Sequence, residues 1–352
     1  MNTLTRRRLR KFVISGVVCL IFWTVSVLIN EKPGISHPHS KAISPDRHDN
    51  KALRKAVESC NSDVMFDKAP ASCNGQPFLL ILVISSPNNI FRRDLIRKYL
   101  MPKASSTFYK QGPLWRIVFV VSKTNNHFLE RKVAGEIASR GDIILGRYRD
   151  TSKNLVYKTL IGLGWAHCHC VPRYLLKAND NVFVNVRGLV HWLYKSNSSY
   201  LSDHLYMGIL KKWHQSKPIR EESSRYFVSR DDYPYDMYPP HVVGGAYLLS
   251  KDVLEAMIPL IRQIHAFGAE DAYIGMLAQL IGIQAKETNL FHEQSRPNSW
   301  SICSYPKVLI SLGVSANDLP EIVRNSLRSV IECMNDQELF DRANIIKLID
   351  FQ

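Results

Sequence analysis

The chain has 352 residues, 45% of them hydrophobic and 22% charged. It can bury a sizeable core as one large domain or two fused halves, and it has no internal repeat or low-complexity tract. The net charge is +15, of which Arg6, Arg7, Arg8, Arg10 and Lys11 contribute +5, leaving about +10 for the remainder. A basic excess of this size fits nucleic acid, an anionic membrane, a phosphorylated ligand or simply a solvated basic face.

Residues 1–11 read as a cytoplasmic tail. The run from Phe12 to Ile29 carries no charge, and at about 1.5 Å per residue it is long enough to cross a bilayer core. The basic cluster ahead of it orients a retained signal anchor with the C-terminal part in the lumen. A cleaved signal peptide fits less well, because the run exceeds an ordinary h-region and no small-x-small site precedes Asn30-Glu31-Lys32. Residues 30–76 are polar and proline-bearing and read as a luminal stem. His37 and His39 within them read as solvated. Residues 77–352 form the globular part.

Six cysteines lie outside the membrane run: Cys60, Cys73, Cys168, Cys170, Cys303 and Cys333. An oxidising lumen allows three disulfides, and spacing alone does not choose among the fifteen pairings. Cys168-His169-Cys170 lacks the spacing and the second pair of a zinc site. Asn197-Ser198-Ser199 is a glycosylation sequon.

PFLLILVIS (Pro77 to Ser85) is a continuous apolar run of strand length, as expected of a buried parallel strand. SSPNN breaks it, and FRRDLIRKYLM follows as a helix with Arg93 and Arg97 on one face. WRIVFVVS is a second strand, HFLERKVAGEIASR a helix closed by Gly141, and DIILGRY a third strand. Thr151 or Ser152 is placed to cap a helix through NLVYKTLIGLGWAHCH. RYLLKA is a fourth strand and delivers Asn179-Asp180-Asn181 at its C-terminal end, where ligands bind in α/β sheets.

VRGLVHWLYK reads as a helix and DHLYMGIL as a strand. Tyr238-Pro239-Pro240-His241 and Gly244-Gly245 combine stiff turns with a backbone that a ligand can approach, or else form a structural loop. KDVLEAMIPLIRQIHAFG reads as a helix. Glu270-Asp271 caps a further one, whose apolar face holds Ile274, Leu277 and Leu280.

These pieces resemble, in order and from about Pro77 to Asn325, the β-1,3-galactosyltransferase and β-1,3-N-acetylglucosaminyltransferase family, glycosyltransferase family 31. FLLILVISSPNNIFRRDLIR is similar to the family's opening strand and its Arg-Arg-x-x-Ile-Arg helix. GDIILGRYRDTSKNLVYKTLIGLGWAHCHC resembles GDII-x-x-DF-x-D-x-Y-x-NLTLKT-x-x-x-x-x-W with a closing Cys. KANDNVFVN stands where the family has K-x-DDDVFVN. YFVSRDDYPYDMYPPHVVGGAYLLS resembles WYVS-x-EEYP-x-x-x-YPPYCSGGGYVLS, and EDAYIGMLAQLIGI resembles EDVYVGICLRKLGI.

The resemblance implies a Golgi type II membrane protein with a GT-A fold, Rossmann-like with a mostly parallel sheet. It implies a UDP-sugar donor, a glycan acceptor, Mn²⁺ or Mg²⁺ on the diphosphate, and inverting β-1,3 transfer, of galactose first and of N-acetylglucosamine as the alternative. Asp271 is implied as the base, with Glu270 beside it. Arg93, Arg97, Lys158, Gly244 and Gly245 lie on the donor side, and Asn179, Asp180 and Asn181 at the metal position. A luminal domain would not meet nucleic acid. The chain departs from the family where aspartates are replaced by Asn179 and Asn181, where Thr-Trp is replaced by Tyr99-Leu100, and where a frequent His is replaced by Leu312. A relative without transferase activity, serving as a chaperone or binding partner, is the alternative these departures favour.

Overall fold

The computed structural model describes residues 53, 55–57, 59–101, 114–197, 203–212, 216–293 and 300–333. The expected cytoplasmic tail, residues 1–11, and the apolar run from Phe12 to Ile29 lie outside them. Among the described residues no helix is long and apolar enough to cross a membrane.

A central sheet is built from β1 (Phe66–Lys68), β2 (Leu79–Ile84), β3 (Trp115–Lys123), β4 (Ile143–Arg149), β5 (Tyr174–Asn179), β7 (Tyr206–Lys211), β8 (His241–Ser250) and β9 (Lys286–Glu287). Its order is β1-β4-β3-β2-β5-β8-β7-β9. The stretch β4-β3-β2-β5 is parallel. Beyond it β8 runs antiparallel to both β5 and β7, so the sheet is mixed rather than mostly parallel. The reason is local. His241–Ser250, whose His241 and Gly244-Gly245 read from sequence as part of stiff turns or a structural loop, is a ten-residue strand that enters from the opposite direction. A second small sheet joins β6 (Phe183–Val184), β10 (Phe291–His292) and β11 (Ile310–Ser311).

Helices α1 (Ile90–Leu100), α2 (His127–Arg140), α3 (Leu155–His169), α4 (Val186–Asn197), α5 (Lys251–Gln263), α6 (Glu270–Leu280) and α7 (Leu319–Cys333) cover the sheet. Every residue of β2 is buried, which accounts for its unbroken apolar run. Leu80, Leu82 and Ile84 join a core with residues of α3, α5 and α6. Leu79, Ile81 and Val83 join the other core with residues of α1, α2, α4 and α7. Strand periodicity of two thus splits one apolar run between two layers.

Helix α2 has the expected bounds. Asn126 accepts from the backbone amides of Phe128 and Leu129, and Gly141 closes the helix at φ 62°, a conformation that favours glycine. Three expected details change. Helix α3 starts after Asn154, not at Thr151 or Ser152. Glu270 and Asp271 are the first helical residues of α6, after Ala269 at the cap position. Leu280 is exposed, whereas Ile274 and Leu277 are buried.

The expected stem boundary at residue 76 also moves. Leu53, Ala56, Val57 and Met65 are buried in the core, and β1 pairs with β4. The apolar positions 53, 56 and 57 have helical spacing that a polar average conceals. Disulfides Cys60–Cys168 and Cys73–Cys170 tie this stretch to the end of α3, and Cys303–Cys333 ties α7 to the turn before β11. Cys168-His169-Cys170 is therefore the meeting point of two disulfides, and His169 Nε2 lies 3.1 Å from Ser62 Oγ.

Arg93 and Arg97 share Glu136. Arg93 Nη2 lies 2.7 Å from Glu136 Oε2, and Arg97 Nη1 lies 2.7 Å from Oε1. Arg97 also donates to both oxygens of Asp142 at 2.8 Å. Burial works to raise the Glu136 carboxyl, but hydrogen bonds and charge from Arg93 and Arg97 outweigh it and hold the group below the usual range. Glu136→Gln would leave the buried Arg93 guanidinium without its carboxylate, while Arg97 keeps Asp142, and is expected to cost about 3 kcal/mol or more. Because the folded-state value is depressed, this contribution is full above about pH 4.3 and is lost as pH falls through the folded value. Urea unfolding of both proteins at pH 7 and at about pH 2 checks this, and an equal gap at both pH values would contradict it.

Candidate active site

The parallel strands end together, and three loops meet there. After β2 come Ser85 to Asn89, after β4 comes Asp150, and β5 ends on Asn179-Asp180-Asn181. Ile84 pairs with Asn179. Ala178 pairs with Ala246 in antiparallel register, so Gly245 and Gly244 continue alongside Asn179 and Asp180.

One half of the site is a polar network on the β2–α1 loop. Ser85 Oγ donates to Asp180 Oδ2 at 2.7 Å, and Asn89 Nδ2 donates to the same oxygen at 2.8 Å. Arg93, fully buried, donates to Ser85 Oγ at 2.9 Å and to the Ser86 carbonyl at 2.6 Å. Lys158 donates to Asp150 Oδ1 and, at 3.1 Å, to the Ser85 carbonyl. Ser86 Oγ donates to Asp150 Oδ2 at 2.6 Å. Burial presses the Lys158 ammonium below its usual range, against the pull of Asp150 and Asp180.

The structure thus engages all three expected donor-side cations with the protein itself. Arg97 belongs to the Glu136–Asp142 cluster. Arg93 and Lys158 hold the loop that holds Asp180. Glu136 could not be read locally as a partner, since it is 43 residues from Arg93.

The other half is built by β8 and α6. Lys177, fully buried, donates to the Gly244 carbonyl at 2.5 Å, to Glu270 Oε2 at 3.1 Å and to Asn179 Oδ1 at 3.3 Å. Tyr247 Oη donates to Glu270 Oε1 at 2.7 Å. Both Glu270 oxygens are therefore used within the core, and Glu270 has a structural place rather than a basic one. Asp271 differs. Its side chain is 25% exposed, with Oδ1 accepting from the Ala272 amide at 3.0 Å and Oδ2 from the Gly244 amide at 3.3 Å. A held carboxylate with solvent access is what a general base requires.

Gly244 and Gly245 are half-buried, and the side on which a Cβ would stand is filled by the protein itself. A Cβ at Gly244 would meet Glu270 Oε2 at 3.0 Å and Asp271 Cβ at 3.2 Å, and one at Gly245 would meet Leu312 Cδ1 at 2.7 Å. The glycines make room for the protein's own site residues. Asn197 is the last residue of α4.

The residues at the metal position do not fit a resident Mn²⁺ or Mg²⁺. Asn179 Oδ1 faces the Lys177 ammonium, Asp180 Oδ2 already accepts two hydrogen bonds, and Asn181 is exposed. Leu312, buried against Gly245, brings no ligand atom. Among the described residues, no group of three or more His, Cys, Asp and Glu is arranged to hold a metal ion. Hard divalent ions take charged oxygen ligands, and this set supplies at most one carboxylate beside an ammonium. Asparagine also supplies an N–H donor, which aspartate lacks.

Sequence reasoning quoted but gave no role to Lys177, Ser85, Asn89 and His241. The signal available was their place at strand ends next to the candidate residues.

The chain is similar to known glycosyltransferases. The chain is 29% identical over 254 residues to beta-1,3-galactosyltransferase 5 of Gorilla gorilla gorilla, covering 70% of this chain and 81% of that one. It is 30% identical over 253 residues to beta-1,3-galactosyltransferase 9 of Homo sapiens, covering 70% and 65%. It is 27% identical over 255 residues to lactosylceramide 1,3-N-acetyl-beta-D-glucosaminyltransferase A of Danio rerio, covering 71% and 66%. The galactosyltransferase family model matches residues 91–289, which include Asn179 to Asn181 and Asp271, and the chain belongs to the galactosyltransferase family.

Proposed function

We propose that the chain is an inverting β-1,3-glycosyltransferase of GT-A fold that moves galactose from UDP-galactose to a hydroxyl of a glycan. The observation that carries this is Asp271, a carboxylate fixed by two backbone amides and open to solvent, beside the strand end that bears Asn179 to Asn181. The parallel strands followed by antiparallel β8 support the GT-A reading. In the reaction the acceptor hydroxyl gives its proton to Asp271. Its oxygen forms a bond to the anomeric carbon from the side opposite the diphosphate. The bond from that carbon to the diphosphate oxygen breaks, and UDP leaves with the electron pair. Amide donors of Asn179 and Asn181 meet the charge on the leaving phosphates.

Transfer of N-acetylglucosamine is the second reading, favoured by the similarity to the Danio rerio enzyme. The full-length chain, assayed with UDP-galactose and UDP-N-acetylglucosamine against β-linked acceptor sugars, distinguishes the two. Binding of UDP with no transfer from either donor would favour the third reading, a relative acting as a binding partner.

We place the domain in the Golgi lumen, behind the anchor at residues 12–29. Three disulfides that use all six cysteines outside the anchor support an oxidising compartment. Protease outside sealed vesicles should leave the residues after 30 intact, and cleavage there would contradict this placement.

A further inference from the structure

His241 opens β8 at a position where the family motif quoted above has Tyr. It is 1% exposed. Its Nδ1 lies 2.8 Å from the carbonyl oxygen of Pro239. A carbonyl only accepts, so Nδ1 carries the proton and Nε2 presents a lone pair. That Nε2 lies 3.8 Å from Asp271 Oδ2. The approach is built in from the helix side. Gly275, one turn after Asp271 on α6, has no Cβ, and one placed there would stand 2.3 Å from His241 Cβ. Any larger residue at 275 would push the imidazole away from the carboxylate.

We propose that His241 is a positioning residue for Asp271 and shares the proton that Asp271 takes from the acceptor. This rests on the reading of Asp271 as the base. Before reaction, the ring walls the Oδ2 side of the carboxylate while the Gly244 and Ala272 amides hold its oxygens. When the acceptor O–H bond breaks, the proton goes to Asp271. An Asp271 Oδ2–H then has an acceptor in Nε2, once the gap closes to hydrogen-bond distance, as catalytic contacts do on substrate binding. Passage of the proton to Nε2 leaves a carboxylate beside an imidazolium whose Nδ1–H still binds Pro239. No co-reactant is needed, and the proton returns to solvent after UDP leaves.

The groups facing the ring are few. Asp271 and Glu270 lie on α6, Lys211 pairs with His241 across β7 and β8, and the Tyr238 ring stands edge-on at 6.1 Å. Burial lowers the affinity of the ring for a proton, and Asp271 is the largest influence opposing that. His241 therefore starts neutral, the form that can receive a proton.

Two variants separate positioning from proton sharing in the full-length chain. His241→Asn keeps a donor for Pro239 and removes Nε2. It is expected to lower kcat about 10-fold or more while KM for the UDP-sugar stays within about 2-fold. His241→Gln offers an amide near Nε2 that can hold Asp271 but cannot accept its proton. It is expected to recover part of kcat. In both, the acid limb of kcat/KM should differ from that of the parent, because the imidazole that shares the proton with Asp271 is gone. Parent kcat and an unmoved acid limb in both variants would overturn the proposal.

A second arm needs no turnover. Imidazole nitrogen NMR of the selectively labelled chain should show His241 neutral with the proton on Nδ1. Asp271→Asn should lower its titration midpoint, because the charge that favours imidazolium is gone. A proton on Nε2, or a midpoint unmoved by Asp271→Asn, would overturn the pairing. If the parent transfers no sugar while this arm holds, the pairing stands and the transferase reading is what fails.

Discussion

Asp271→Asn is expected to lower turnover about 10²-fold or more, with UDP affinity nearly unchanged. The substitution keeps the shape of the side chain, and its amide oxygen can still accept from one of the two backbone amides, Gly244 and Ala272, that hold Asp271. What it removes is the ability to take a proton from the acceptor hydroxyl. Glu270→Gln provides the contrast. Glu270 accepts from Lys177 and Tyr247 in the core, and its loss leaves the buried Lys177 ammonium without its carboxylate. That variant is expected to show its effect in unfolding midpoint first. Two carboxylates adjacent in sequence should thus separate, one in kcat and the other in stability. Steady-state kinetics with thermal unfolding of both variants check this. An Asp271→Asn protein with parent kcat would reduce Asp271 to a first-turn helix acid, and its contact with His241 to packing.

The elements of the parallel half were legible because their signals are local. A six-residue apolar strand buried on both faces leaves an unbroken run, and a helix closed by a left-handed Gly141 leaves its stop in the sequence. The antiparallel half was less legible. His241 to Ser250 carries the glycines that favour a loop reading, but those glycines relieve contacts with Glu270, Asp271 and Leu312, residues 25 or more positions away. The same holds at the site. Asn179 to Asn181 were placed correctly at a strand end, because that depends on one strand's length and position. The roles of Arg93, Arg97 and Lys158 were not legible, because each is decided by a partner on another element: Glu136, Asp142 and Asp150. A buried cation looks alike in sequence whether it faces a ligand or a carboxylate. The boundary at 76 failed for a related reason. The core contacts of Leu53, Ala56 and Val57 are sparse along the chain and are tied down by cysteines whose partners lie about a hundred residues later.

UDP affinity of the parent chain is expected to change less than about 3-fold between excess EDTA and saturating Mn²⁺, because the position that would hold the ion supplies at most one carboxylate and faces a lysine. Asn179→Asp with Asn181→Asp should reverse this behaviour. In EDTA the two new carboxylates meet the diphosphate as like charges and withdraw two amide donors. Each charge-assisted hydrogen bond is worth about 1.5–3 kcal/mol, so affinity should fall about 10-fold or more. In Mn²⁺ the same carboxylates become charged oxygen ligands for a hard cation, and much of the lost affinity should return. Lys177 sets the limit of that recovery. Its ammonium lies 3.3 Å from Asn179 Oδ1, so an aspartate at 179 would pair with it in part and be a weaker ligand than one at 181. Single variants should show this order, with Asn181→Asp giving the larger gain in Mn²⁺ dependence. Calorimetry of UDP with the four proteins, in EDTA and in Mn²⁺, makes the comparison. A parent chain whose UDP affinity collapses in EDTA would mean that the diphosphate carries a metal held by residues other than these.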